Sequence, residues 1–169
     1  MKIIDKYDAK EEKKSLNSVA KMYELTYLDP ACQRLGGVSR GSGWTKKEGM
    51  AYLESLLEGC VYNRLLVADI HECLKYAREQ NCEYSENRWL ALLQSAPDKE
   101  YLSIDGNNSA SFINAFIRGT HELKIKVPGY TTKKSLDELT EEEQENIKHT
   151  DKVDTIILSR ILVPDIADL

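Results

Sequence analysis

No stretch of this sequence approaches the roughly 18 consecutive apolar residues that a bilayer-spanning helix requires, so no membrane span is expected. Its first residues, MKIIDKYDAKEEKK, hold no apolar core of the kind a secretory signal needs. The chain is therefore expected to be cytoplasmic, and the glycosylation-like triplet Asn107-Asn108-Ser109 is read as chance. An excess of positive charge is missing too. Lys and Arg number 23 against 28 Asp and Glu, a net charge of -5, which excludes a global basic footprint for nucleic acid. Contact with DNA or RNA would need a local patch. Cysteine pairs are lacking: Cys32, Cys60, Cys73 and Cys82 form no C-x-x-C and match no zinc template. They are expected to be reduced thiols that mostly pack. The three histidines, His71, His121 and His149, are scattered, and none sits beside a serine or cysteine in a local catalytic pattern. There is no internal repeat and no low-complexity tract.

What is present suits one α/β domain. A chain of 169 residues, 41% hydrophobic, can bury a core without disulfides or metal. Residues 8–14 are charged and read as a frayed start. From Ser15 to Leu25, Leu16, Val19, Ala20 and Tyr23 share one helical face. Asp29-Pro30 breaks that helix, and residues 30–43, with Gly36, Gly37, Gly41 and Gly43, read as a loop. Thr45 and Glu48 form a capping box for a second helix, with Gly59 as its stop. Residues 63–70 read as a buried strand, 71–80 and 86–95 as helices, and 101–104 as a strand. A helix from about Ser109 to Arg118 closes at Gly119. Glu122 to Val127 suits a strand, Ser135/Glu138 and Thr140/Glu143 are two more capping boxes, and Val153 to Leu162 is the last strand. The mixture lacks a strict βαβ rhythm.

Two segments carry candidate chemistry. In Arg40-Gly41-Ser42-Gly43-Trp44 an arginine precedes a capped helix, where exposed N–H groups and the helix dipole favour an anion. The nearby glycines allow close backbone approach. The plain alternative is a flexible loop with a surface arginine and a tryptophan plugging the core. This is no Walker loop, because the lysine is absent. In Ile104-Asp105-Gly106-Asn107-Asn108-Ser109 a strand ends and a helix opens, the context in which α/β proteins seat ligands and phosphates. Asp105 could hold magnesium, orient water or accept from a ribose hydroxyl. The alternative is an Asx-type turn capped by Asn108 or Ser109. Glu141-Glu142-Glu143 suits a solvated first helical turn. Lys124, Lys126, Lys133 and Lys134 suit a solvent face, or phosphate contacts.

Taken in order, R-x-x-x-W, the helix with Leu56-Leu57-Glu58-Gly59, a buried strand and then I-D-G before a helix resemble the N-terminal domain of the GmrSD-type restriction proteins. That family typically shows Q-R-x-x-x-W, an LLeG-like helix end and D-G-Q-Q-R, on a ParB/sulfiredoxin-like fold. The resemblance covers roughly residues 30–169, leaving 1–29 as an N-terminal helical extension. It implies binding and hydrolysis of a nucleoside triphosphate with Mg²⁺, gating a nuclease that acts on DNA. Arg40, Asp105 and Gly106 match the catalytic positions. Arg40, Trp44, Asn107, Asn108 and Ser109 fall where nucleotide would be bound. Ser39 replaces the family's glutamine, the two asparagines replace longer glutamines, and Ser109 stands where the family has an arginine that would clamp phosphate bidentately. The family's third motif, F-x-x-x-N, is absent, and the domain is expected to be cut short at its C-terminal end. The expectation is a nucleotide-binding domain of a restriction-like or phage-borne defence or counter-defence protein with weak or lost hydrolysis. DNA, or a nuclease domain or subunit, would be a further partner, with no membrane. The rival is a non-catalytic interaction module on the same fold. A third reading, a sulfiredoxin-like redox enzyme, would need Cys32 near Arg40.

Overall fold

Local capping determines where most helices begin. Ser15 Oγ accepts from Ser18 N, and helix α1 runs Leu16–Glu24 behind it. Thr45 Oγ1 accepts from Glu48 N at 3.2 Å ahead of α2, Lys46–Leu57. That helix ends in a Schellman motif: Gly59 N donates to Leu56 O, Cys60 N to Ser55 O, and Gly59 has φ +74°. Asp69 caps α3, Ile70–Glu79, and α4 spans Glu83–Ser95. Helix α5 covers Asn107–Arg118 and stops at Gly119, φ +72°. Two of the three expected capping boxes form in full, while at Thr45/Glu48 the threonine half is in place. Ser135/Glu138 opens a 3-10 turn at Leu136–Glu138, and Thr140/Glu143 opens α6, Glu141–His149. The computed structural model describes residues 8–28, 44–60 and 64–162.

The strands are β1 Lys10–Ser15, β2 Thr26–Tyr27, β3 Arg64–Asp69, β4 Tyr101–Asp105 and β5 Asp151–Leu158. They form one mixed sheet in the order β1-β5-β3-β4-β2. Strands β1/β5 and β3/β4 pair antiparallel; β3/β5 and β2/β4 pair parallel. The alternation of a strand decides which face each residue serves. Leu65, Val67, Val153 and Ile157 pack with buried residues of α1, α2 and α5. Ala68, Leu102, Ile104, Ile156 and Leu158 face the other way, onto α3 and α4. The fold is thus α/β, as expected, and its sheet lies between two helical layers. Among the described residues no helix is long and apolar enough to cross a membrane.

Three expectations are corrected. Residues 10–15, which take in most of the 8–14 stretch read as frayed and the Ser15 read as the helix start, are an edge strand paired to β5. Its charges are tolerated because it lies at the edge, where Glu12 bridges Lys10 and Lys14 at 2.6 and 3.0 Å. Such charges also discourage pairing with another chain. Residues 10–27 therefore supply both edge strands and the buried helix α1 between them. The segment 122–127 is not a strand. Leu123, Ile125 and Val127 are buried and their neighbours exposed, but the segment's sheet-like pairing is confined to an isolated bridge, Ile125 to Lys134. Lys126 N donates instead to the Glu54 carboxylate at 3.0 Å. Period-two burial reports an extended chain with one wet side, not sheet membership. Lastly, α5 starts at Asn107, two residues earlier than expected, so neither Asn108 nor Ser109 is its cap.

Candidate functional site

Strand β4 delivers Asp105 to the sheet end, and the chain must then turn sharply into α5. Gly106 makes that turn at φ +91°, ψ 14°. A β-carbon there would lie 2.6 Å from Leu65 Cδ2 and 3.2 Å from Leu65 Cα. Glycine is required both by conformation and by space. Asp105 is exposed, and its Oδ1 accepts from Gly106 N at 2.9 Å. The first helical bond of α5 follows, Ala110 N to Gly106 O at 3.0 Å.

The two candidate segments meet. Asn108 Oδ1, in the first turn of α5, accepts from Trp44 N at 3.1 Å, across 64 residues of sequence. Trp44 stands one residue before the Thr45 cap of α2. Its half-buried ring lies 5.2 Å from Tyr52 and 6.2 Å from Phe112, stacked on the latter. Gly49 sits against Phe112: a β-carbon at 49 would fall 2.1 Å from that ring. Positions 44 and 49 of one segment thus meet 108 and 112 of the other, so α2 and α5 start side by side and leave in the same sense. Each helix begins with backbone N–H groups that have no intrahelical acceptor, and both positive dipole ends lie together. Arg40 falls outside the described residues, as do the rest of the glycine-rich loop and Cys32.

The remaining expected residues divide. Ser109 is buried at 3% exposure, turned away from any ligand in solvent. Asn108 has its amide oxygen engaged by Trp44. Asn107 differs: its Oδ1 is buried with no hydrogen-bond partner. It borders a cavity of about 10 Å³ with Met22, Tyr23, Leu65 and Gly106, at the lower limit for one water molecule. Among the described residues no group of three or more His, Cys, Asp or Glu is arranged to hold a metal. Of the four basic residues expected as a solvent face or as phosphate contacts, two are paired within the chain, Lys124 with Glu138 at 3.1 Å and Lys133 with Glu54 at 3.7 Å. Burial pushes the Cys73 thiol up to about 12, an inert packing thiol. Cys60, by contrast, is exposed.

Gly49 was not singled out by sequence reasoning. The signal was present: glycine inside a helix costs roughly 1 kcal/mol against alanine, so its use there marks a close approach. Gly49→Ala would ordinarily stabilise a helix. Here it is expected to lower stability by about 1–3 kcal/mol, because the Phe112 ring must move. Urea unfolding of Gly49→Ala, with and without Phe112→Ala, measures this; the double variant should recover most of the loss. A neutral single variant would contradict the close packing.

No protein-family model, no curated protein and no solved structure matches the chain.

Proposed function

We propose that this chain is the nucleotide-binding domain of a restriction-like or phage-borne defence or counter-defence protein, built on a ParB/sulfiredoxin-like frame, with NTP hydrolysis weak or lost. The observation that carries the reading is the Trp44 N to Asn108 Oδ1 bond, which sets two helix N-termini side by side next to Asp105. Two such termini turn backbone N–H groups and two favourable dipoles toward an anion. In this reading Arg40 meets phosphate and Trp44 holds the start of α2 in place. Asp105 and Gly106 form the catalytic turn, and Asn107 and Asn108 position the nucleotide. Mg²⁺ would neutralise triphosphate charge. Asp105 suits it as the single exposed carboxylate of a cation otherwise held by phosphates and water. With a net charge of -5, DNA would be engaged locally or through a nuclease domain or subunit.

A second reading, an interaction module without chemistry, draws on Ser109. The arginine expected at this position would be the phosphate clamp, and the serine found there is buried. The two readings part on binding. Under the first, a ribonucleoside triphosphate with Mg²⁺ at 100 times its Kd adds about 2.7 kcal/mol of stability. For a chain of this size that raises the melting temperature by roughly 5–10 °C. Absence of any shift with all four ribonucleotides at millimolar concentration would favour the interaction module.

A further inference from the structure

The far end of α2 borders a separate cavity of about 250 Å³. Leu57, Val127 and Ile147 give it an apolar wall, and Asn146, Thr150 and Lys152 give it a polar rim. Helix α6 lines it with Glu143, Asn146 and Ile147, positions on one helical stripe, and Thr150 follows at its C-cap. A nine-residue helix is normally held by burying such a stripe, since short helices are marginal alone. Yet α6 has no buried residue. It is fastened at its N-terminal end, by the Thr140/Glu143 box, the Tyr130 hydroxyl donating to Glu143, and Gln144 Nε2 donating to Leu139 O, and by the half-buried Ile147. Ile147 reaches the core cluster on one side, and on the other the inward face of α6 borders the cavity.

The charges on the rim are unequal. The Glu143 carboxylate accepts from Tyr130 and from the backbone and hydroxyl of Thr140, which hold its pKa below the ordinary carboxylate value. The Thr150 hydroxyl donates to Asn146 O at 2.6 Å. Lys152 is half-buried and makes no ion pair with the described residues. Its ammonium is the cation left for a ligand, beside an apolar wall. We propose that this cavity binds a small amphiphilic carboxylate, its apolar body against Leu57, Val127 and Ile147 and its carboxylate on Lys152. Helix α2 separates the cavity from the nucleotide site by about 18 Å at 1.5 Å per residue, and the proposal does not depend on that site.

The probes are 4-phenylbutyrate and its neutral amide, titrated into the full chain and followed by methyl NMR. The carboxylate is expected to shift the Leu57, Val127 and Ile147 methyl signals. Lys152→Met should weaken it about fivefold, the scale of a rim-exposed ion pair, and leave the amide unaffected. Ile147→Trp, which fills the cavity, should abolish binding of both probes while circular dichroism reports an intact fold. If that variant unfolds, Val127→Met serves as the milder filling variant. No methyl shift at millimolar carboxylate overturns the proposal. So does equal binding of acid and amide that Lys152→Met leaves unchanged.

Discussion

Gly106→Ala is expected to destabilise the protein by about 3 kcal/mol or more, a large share of a single domain's stability. Two costs add. A non-glycine residue in the left-handed region costs about 1–2 kcal/mol, and at Gly106 φ is +91°. Forcing atoms into a packed site costs a further 1–3 kcal/mol or so, and the new β-carbon would sit 2.6 Å from Leu65 Cδ2 and 3.2 Å from its Cα. The backbone contact is the harder to relieve, because Leu65 lies in β3 between β5 and β4. Gly119→Ala isolates the first cost. Gly119 also has positive φ, +72°, but nothing stands within 4 Å of its would-be β-carbon. That variant should lose only about 1–2 kcal/mol. Chemical denaturation of both decides the matter; equal losses would mean that the approach of Leu65 contributes nothing.

The purified chain is expected to hydrolyse triphosphates at least about 10³-fold more slowly than a site equipped with a phosphate-clamping arginine, even where it binds them. The described first turn of α5 offers Asn107, Asn108 and a buried Ser109 where positive charge would be needed. Backbone N–H groups can hold a ground-state phosphate, but a guanidinium does more for the charge that spreads over the transferring group. Phosphate release by wild type, with Asp105→Ala as the contamination control, measures it. Robust turnover that vanishes in Asp105→Ala would show that this site is catalytically complete. Restoring the arginine at position 109 is not a useful rescue, because burial there would strand a guanidinium without water or partner.

These two expectations rest on different levels of legibility. The Gly106 turn was visible in sequence as a strand, an Asp-Gly pair and a helix. The reason glycine is required, the flank of Leu65, was not, since residues 65 and 106 become neighbours only through the sheet. Ser109 carries the opposite lesson. In sequence it was a short polar substitute at a ligand-facing position. In the fold the helix begins two residues earlier than expected, and Ser109 is turned inward. Ser109 stands four residues before Ile113 and seven before Phe116, on the buried stripe of α5, so its place on the helix turns it inward.

By itself the sequence determined what is set within a few residues. Thr45, Ser135 and Thr140 cap because a hydroxyl reaches an amide three positions on. Gly59 and Gly119 end helices because left-handed backbone suits glycine. Apolar spacing was enough to mark α1, and an apolar run to mark β3. Only the tertiary structure decided whether a partner was present to complete a pattern. Lys10–Ser15 is a strand because β5, some 140 residues later, offers its edge, whereas Leu123, Ile125 and Val127 alternate as well and gain no place in the sheet. The meeting of Trp44 with Asn108 is of the same kind. Each residue alone fitted an ordinary loop or turn, and the two helix starts adjoin because Gly49 lets α2 press against Phe112 of α5. Hydrogen bonds over three or four residues are encoded locally; the distance between two helix starts is encoded only in how the layers pack.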